Sequence, residues 1–146
     1  MDFKREAAER LRLYNDKKDS IINMEEDLRR LELEMTRIRS ATTDSIAVSG
    51  GSSTREDAMV NNLAARGEKE LSLEATRIWL RVTERALSKL DGEERLVLAR
   101  MYINRERNAV SRLREELGLE DDRSVYRRKD KALRRFTILM YGRTEQ

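Results

Sequence analysis

The stretch that decides the fold runs from Glu93 to Tyr141 and reads EERLVLARMYINRERNAVSRLREELGLEDDRSVYRRKDKALRRFTILMY. Apolar residues recur along it at helical spacing in three short blocks, so the stretch predicts three consecutive helices. The blocks comprise Leu96, Leu98 and Met101, then Val110, Leu113 and Leu117, and finally Val125, Leu133 and Phe136.

A short turn separates the second block from the third. Gly118 follows Leu117 and is expected in the left-handed conformation that ends a helix, because glycine adopts it without steric cost. Asp121 or Asp122 can then cap the next helix by accepting hydrogen bonds from the free N–H groups of its first turn. Two helices joined in this way have the pattern of a helix-turn-helix motif.

The third block is strongly basic. From Arg123 to Arg143 there are eight basic residues and one acid, Asp130, which makes a net charge of +7 in a chain whose net charge is +3. The remainder of the chain therefore carries −4. A basic helix that follows a glycine turn is typical of a recognition helix that binds a polyanion.

The same stretch resembles region 4 of the sigma-70 factors and, more closely, phage transcriptional regulators of the ArpU type. The resemblance covers roughly residues 55–142, and Lys129–Phe136 is its most specific part. It implies a sigma-like helix-turn-helix head, sequence-specific binding of double-stranded DNA, control of phage genes and no catalytic activity. Contact with RNA polymerase is left open. The matching residues are Leu90, Glu94-Arg95, Leu98, Leu117-Gly118, Val125-Tyr126-Arg127 and Lys129–Phe136.

The chain departs from that family pattern at three places. Arg114 stands four positions before the turn glycine, where a small residue is usual and the two helices touch. The turn between Leu119 and Val125 is one residue longer than usual, and Arg128 occupies a commonly apolar position. These departures affect the expected docking angle on DNA more than the expected function.

The candidate DNA-binding residues lie on the third helix. Arg123, Arg127 and Lys131 are spaced by fours and share one face, with Ser124 beside them, so we expect this group to enter the major groove. Arg134 and Arg135 are expected at phosphates or as solvated charge. The alternative is that the whole face is merely solvated. The candidates are Arg123, Ser124, Arg127, Arg128, Lys131, Arg134 and Arg135, and the residues expected on the buried face are Val125, Ala132, Leu133 and Phe136.

Composition predicts an all-α fold, with a long coiled-coil-like N-terminal helix and the C-terminal head. Charged residues make up 40% of the chain, aromatic residues 5%, and there is no proline. We expect a helix over residues 1–39, a flexible linker over 40–54, a second long helix over 55–90 and the head over 91–146. Thr54 is expected to cap the second helix, and Gly67 to loosen its middle.

Apolar residues in the first helix follow a heptad pattern, called here the N-terminal seam. Arg10 and Lys17 interrupt it. The seam predicts packing either within the chain or between two chains as a homodimer. In the second helix the apolar residues Leu71, Ala75, Ile78, Val82, Ala86 and Leu90 are expected to pack on the first helix, with Trp79 in the core. The seam comprises Phe3, Ala7, Tyr14, Ile21, Met24, Leu28, Leu31, Met35 and Ile38.

Several classes of function are disfavoured by what the sequence lacks. The chain has no cysteine and no histidine, so we expect no thiolate metal site and no histidine-based catalysis, and we expect no cofactor. No apolar run reaches membrane-spanning length, and the cytoplasm of a bacterial host is the expected compartment. Two alternatives to a regulator remain: a structural DNA-binding adaptor such as a small phage DNA-packaging subunit, and a coiled-coil interaction protein.

Overall fold

The computed structural model describes residues 1–41 and 51–145, and within these ranges the regular structure is helical, without a strand. The all-α prediction is confirmed. No helix in the described ranges is long and apolar enough to cross a membrane. The helices are α1 (Phe3–Ser40), α2 (Gly51–Ser88), α3 (Gly92–Leu98), which continues into a π-helical segment (Ala99–Ile103), α4 (Ala109–Leu117) and α5 (Asp122–Tyr141).

The boundary between the two long helices differs from the prediction. The second helix begins at Gly51, so Thr54 lies inside its first turn and is not the residue that precedes it. The helix also continues without a break through Gly67, because a single glycine lowers helix stability without preventing helix formation. The predicted linker over 40–54 is therefore shorter, and its residues 42–50 lie outside the described residues.

The chain forms two compact units, and each of the two long helices contributes residues to both units. The first unit comprises Met1–Lys18 together with Trp79–Gln146, and the second comprises Asp19–Ile78. The first unit, which contains α3, α4 and α5, thus extends beyond residues 91–146. The reason is that the start of α1 and the end of α2 contribute to its hydrophobic core.

Two clusters of buried side chains stabilise the first unit. The larger joins the start of α1 to α3 and α5, and Ala7, Leu11 and Phe136 are completely buried in it. The smaller cluster consists of Val97 of α3, Leu113 of α4 and Val125 of α5. Of the residues in the three apolar blocks, Leu98, Leu113, Val125, Leu133 and Phe136 are buried. Leu96, Met101, Val110 and Leu117 are only partly buried, and so is Trp79, which was expected in the core.

The cations that interrupt the N-terminal seam contact Trp79. The guanidinium carbon of Arg10 lies 4.7 Å from the centre of the Trp79 ring, and the Nζ atom of Lys17 lies 5.6 Å from it. Arg10 also donates a hydrogen bond of 2.8 Å to the Thr83 hydroxyl. Cation–π contacts of this kind contribute about 0.5–2 kcal/mol, so these two positions stabilise the unit although they are not apolar.

The N-terminal seam is covered within the single chain, since each of its apolar or aromatic residues is buried or half-buried. In the second unit, the Asn62 side chain donates a hydrogen bond of 2.9 Å to the Leu31 carbonyl. Leu31 and Met35 of α1 are buried in this unit, and so are Asn62 and Leu73 of α2.

The face of α2 expected to be buried is largely exposed. Ala75 is exposed, as are Leu71, Ile78 and Val82. The buried face instead includes Thr76, whose hydroxyl donates to the Ser72 carbonyl at 2.9 Å. The prediction was wrong because it counted apolar residues alone, whereas a threonine whose hydroxyl bonds to the carbonyl one turn earlier can also be buried. Ala86 and Leu90 are buried as predicted.

Candidate nucleic-acid interface

The turn between α4 and α5 has the geometry expected for Gly118. Its φ is 65°, in the left-handed region. The Leu119 N–H donates to the Arg114 carbonyl at 2.9 Å, and the Gly118 N–H donates to the Glu115 carbonyl at 3.3 Å. These two bonds form a Schellman motif, which pairs carbonyls at the end of α4 and turns the chain towards α5.

Asp121 caps the start of α5. Its Oδ1 accepts hydrogen bonds from the Ser124 N–H at 2.9 Å and from the Ser124 hydroxyl at 2.8 Å. These bonds, assisted by the positive charges of Arg123 and Arg127, hold the pKa of Asp121 below its ordinary value. Of the two candidate caps, Asp121 is the one used. Ser124 therefore serves the cap as well as lying in the predicted groove-binding group.

The Arg114 side chain extends across the turn between α4 and α5. Its Nη1 lies 3.1 Å from the Oδ1 of Asp122, the first residue of α5. The guanidinium thus forms an ion pair at the surface, where the family pattern has a small residue in the helix contact. The contact between α4 and α5 depends instead on Leu113 and Val125, with Leu117 and Leu119 packed around them.

The candidate cations of α5 are all exposed and divide into a set with ion pairs and a set without them among the described residues. The set without ion pairs, called here the cationic face, consists of Arg123, Arg127, Lys131 and Arg134. Among the described residues, none of these four forms an ion pair. On the opposite side of the helix, all four residues expected to be buried are buried, which orients the cationic face away from the core.

Arg128 and Arg135 are held against the preceding helices. Arg128 forms an ion pair of 2.5 Å with Glu93, and Arg135 forms one of 2.6 Å with Glu94. Arg135 also donates to the Lys89 carbonyl at 3.1 Å. Both positions were expected to be available for DNA. In the structure their side chains connect α5 to α3, so we assign them first to the stability of the head.

Two further cations at the start of α4 were not singled out from the sequence. Arg107 and Arg112 are exposed and, in the part of the chain that the structure describes, form no ion pair. Their charge was obscured in the sequence by nearby acids. Arg100 forms ion pairs with two of those acids. Its Nε lies 3.4 Å from the Glu106 carboxylate, and a terminal nitrogen lies 2.7 Å from the Glu116 carboxylate.

Tyr126 is a third residue that was not assigned to the site from the sequence. Its side chain is 46% exposed beside the cationic face, and the Nζ atom of Lys129 lies 5.5 Å from its ring centre. An exposed aromatic residue on a basic helix offers an apolar contact for a thymine methyl group. Its presence between basic residues was the signal available in the sequence.

Comparison of the chain with protein-family models, with curated proteins and with solved structures gives no match.

Proposed function

We propose that this protein is a sequence-specific regulator that binds double-stranded DNA through α4 and α5. The cationic face of α5 carries the proposal. It presents four positive charges that are not paired within the described residues, on the helix that follows a glycine turn, with its opposite side buried. An internally neutralised helix would have little charge left for phosphates, and within the described residues the cations of α5 that form ion pairs are Arg128, Lys129 and Arg135.

The proposed binding mode follows from the position of each charge. With α5 in the major groove, Arg127 and Lys131 lie one turn apart and face the base edges, where arginine can donate two hydrogen bonds to guanine. Arg107, two residues before α4, and Arg112 on α4 are proposed to contact phosphates flanking the groove, as the first helix of such motifs commonly does. Phosphate contacts supply affinity, and base contacts supply specificity.

The resemblance to ArpU-type regulators supports a more specific proposal, namely control of phage or prophage genes. It rests on Lys129–Phe136, where the alternation of basic and apolar residues matches the exposed and buried sides of α5. Under this proposal the partner is a promoter or operator, and contact with RNA polymerase is a separate question. Catalysis has no place in the proposed mechanism.

The experiment that tests the proposal is selection of bound sequences from a random duplex pool, followed by titration of the selected duplex at several salt concentrations. We expect one enriched motif and an affinity that falls steeply with salt, because bound cations release counterions from DNA. A double variant, Arg127→Ala with Lys131→Ala, should lose enrichment. The matched control, Lys18→Ala with Arg37→Ala, removes the same charge from α1 and should keep it.

Two outcomes would contradict the proposal. Absence of an enriched motif, together with an affinity that does not change with salt, would mean that the cationic face is only a solvated surface. Equal loss of binding in the test and control variants would mean that net charge alone attracts DNA, without a recognition helix.

A further inference from the structure

The second helix carries an apolar surface that is exposed among the described residues. We define the docking stripe as Ala64, Gly67, Leu71, Ala75 and Ile78, with Val60 and Leu63 at its N-terminal end. The exposed fractions are 63% for Val60, 52% for Leu63, 74% for Leu71 and 48% for Ile78. Scattered exposed apolar residues are ordinary, but these lie together on one side of a helix, which is typical of an interaction surface.

The spacing of the stripe keeps its side chains aligned. From Ala64 to Ile78 the intervals are three, four, four and three residues. At about 100° per residue, all five positions fall within about 40° of Leu71 around the helix axis. The mean interval is that of a heptad repeat, which suits a left-handed contact with another helix.

Among the described residues, no close contact requires a glycine at position 67. A Cβ added at this position would meet no atom within 4 Å, and the residue lies in the interior of α2. Glycine in a helix interior is about 0.5–1 kcal/mol less favourable than alanine. A surface that allows another backbone to approach closely accounts for a glycine at this position.

The intervals between the stripe residues from Ala64 to Ile78 are the same on both sides of Leu71. A second copy of the stripe in the opposite direction therefore has its residues at matching positions, which indicates a second copy of this chain as the partner. In an antiparallel pair with a two-fold axis at Leu71, Ile78 of one copy meets Ala64 of the other, and Ala75 meets Gly67. The large Ile78 then faces the small Ala64, and Leu71 meets its own symmetry mate. The Ala75 and Gly67 layer between them lets the two backbones approach closely. A parallel pair would instead place Ile78 against Ile78 and Gly67 against Gly67, which leaves a gap at the glycine layer.

We propose that the docking stripe binds the same stripe of a second copy of this chain in an antiparallel, two-fold symmetric contact. From Val60 to Ile78 the helix is about 27 Å long. A helix pair in contact over that length buries on the order of 1,000 Å² in total, near the lower limit for specific interfaces. The dimer is therefore expected to dissociate in the micromolar range. This inference is independent of the proposed DNA binding.

The charges beside the stripe give the contact a distinct signature. Glu70 lies along one edge, and a two-fold axis brings each edge of an antiparallel pair against the same edge of the other copy. The carboxylates of the two copies therefore repel one another. Salt should strengthen the dimer by screening this repulsion, and Glu70→Gln should do the same. A cationic helix bound on the stripe would be weakened by both changes.

Sedimentation equilibrium of the full chain tests the proposal. We expect a monomer–dimer equilibrium that shifts towards the dimer in Glu70→Gln, and a monomer at all concentrations for Leu71→Glu. Leu33→Glu is the matched control, because Leu33 is 65% exposed on α1, away from the stripe. It should dimerise like the wild type. A monomeric wild type at about 100 μM, far above a micromolar dissociation constant, or a dimer unaffected by Leu71→Glu, would overturn the proposal.

Crosslinking tests the orientation, since the chain has no cysteine of its own. With a short bismaleimide reagent, Leu71→Cys should crosslink to itself, whereas Ala64→Cys should not. A mixture of Ala64→Cys and Ile78→Cys should crosslink. Self-crosslinking of Ala64→Cys at the rate of Leu71→Cys would indicate a parallel pair and contradict the antiparallel contact.

Discussion

Arg135 and Glu94 form an ion pair of 2.6 Å that connects α5 to the first turn of α3. The Glu94 side chain is only 8% exposed, and the same Oε1 accepts a hydrogen bond from the Asp91 N–H at 3.0 Å. Asp91 in turn accepts from the Glu94 N–H, which completes a capping box. One carboxylate oxygen thus joins the helix cap to the basic helix.

Replacing Arg135 should therefore destabilise the head. Arg135→Ala leaves the largely buried Glu94 carboxylate without its cation, and we expect the free energy of unfolding to fall by about 1–3 kcal/mol. Denaturant unfolding measures the change. The matched control is Arg134→Ala, one residue away on the cationic face, which should leave stability within about 0.5 kcal/mol of wild type. Equal stability of the two variants would remove the proposed role of Arg135.

Replacing Arg127 should affect DNA recognition and not folding. If Arg127 contacts a base, Arg127→Ala should cost about 1–3 kcal/mol on the selected site and reduce the preference over scrambled DNA. Arg107→Ala should instead weaken binding to both duplexes about equally, because a phosphate contact carries no sequence information. An unchanged preference in Arg127→Ala, measured by competition titration, would count against the groove assignment.

Replacing Gly118 should destabilise the turn between α4 and α5. A branched side chain at φ 65° is strained, so Gly118→Val should lower the free energy of unfolding by roughly 1–2 kcal/mol or more. Thermal unfolding followed by circular dichroism measures it. Gly92→Ala is the control, because a Cβ there meets no atom within 4 Å and its φ is not positive. Equal melting temperatures for the two variants would contradict the role of the turn.

The start of α1 should be essential to the head. Leu11 is completely buried in the larger cluster, so Leu11→Ala should cost about 2–5 kcal/mol, whereas Leu13→Ala, at a position that is 42% exposed, should cost much less. For the same reason we expect a fragment that begins at Thr54 to lose cooperative unfolding. A fragment that unfolds cooperatively, with the melting temperature of the whole chain, would show that α1 is dispensable.

The caps of α3 and α5 should make stability depend on pH in the acid range. The Glu94 N–H bonded to Asp91 lowers the pKa of Asp91 below 3.8, and the bonds from Ser124 lower the pKa of Asp121 likewise. A lowered pKa in the folded state stabilises the protein above the unfolded value, and this contribution is lost as pH falls through the folded value. Unfolding of Asp91→Asn with Asp121→Asn should therefore be less sensitive to pH below about 4. A slope equal to that of the wild type would contradict this.

The sequence alone determined the local features of this protein. Gly118 ends α4 as predicted, and the residue that caps α5 is one of the two aspartates that the sequence offered. Both features depend on a few neighbouring residues, whose conformations and hydrogen bonds are local. The buried side of α5 was equally predictable, since a strong contrast between basic and apolar residues repeats there at helical spacing.

Only the tertiary structure decided which cations stay free and which face of α2 is buried. Arg135 differs from Arg134 because Glu94, 41 residues earlier in the chain, lies within reach of one and not the other. In the same way, Asn62 is buried because the Leu31 carbonyl accepts its hydrogen bond, which leaves Leu71 on the outside. These outcomes depend on partners distant in the sequence, and no local pattern of apolar residues contains that information.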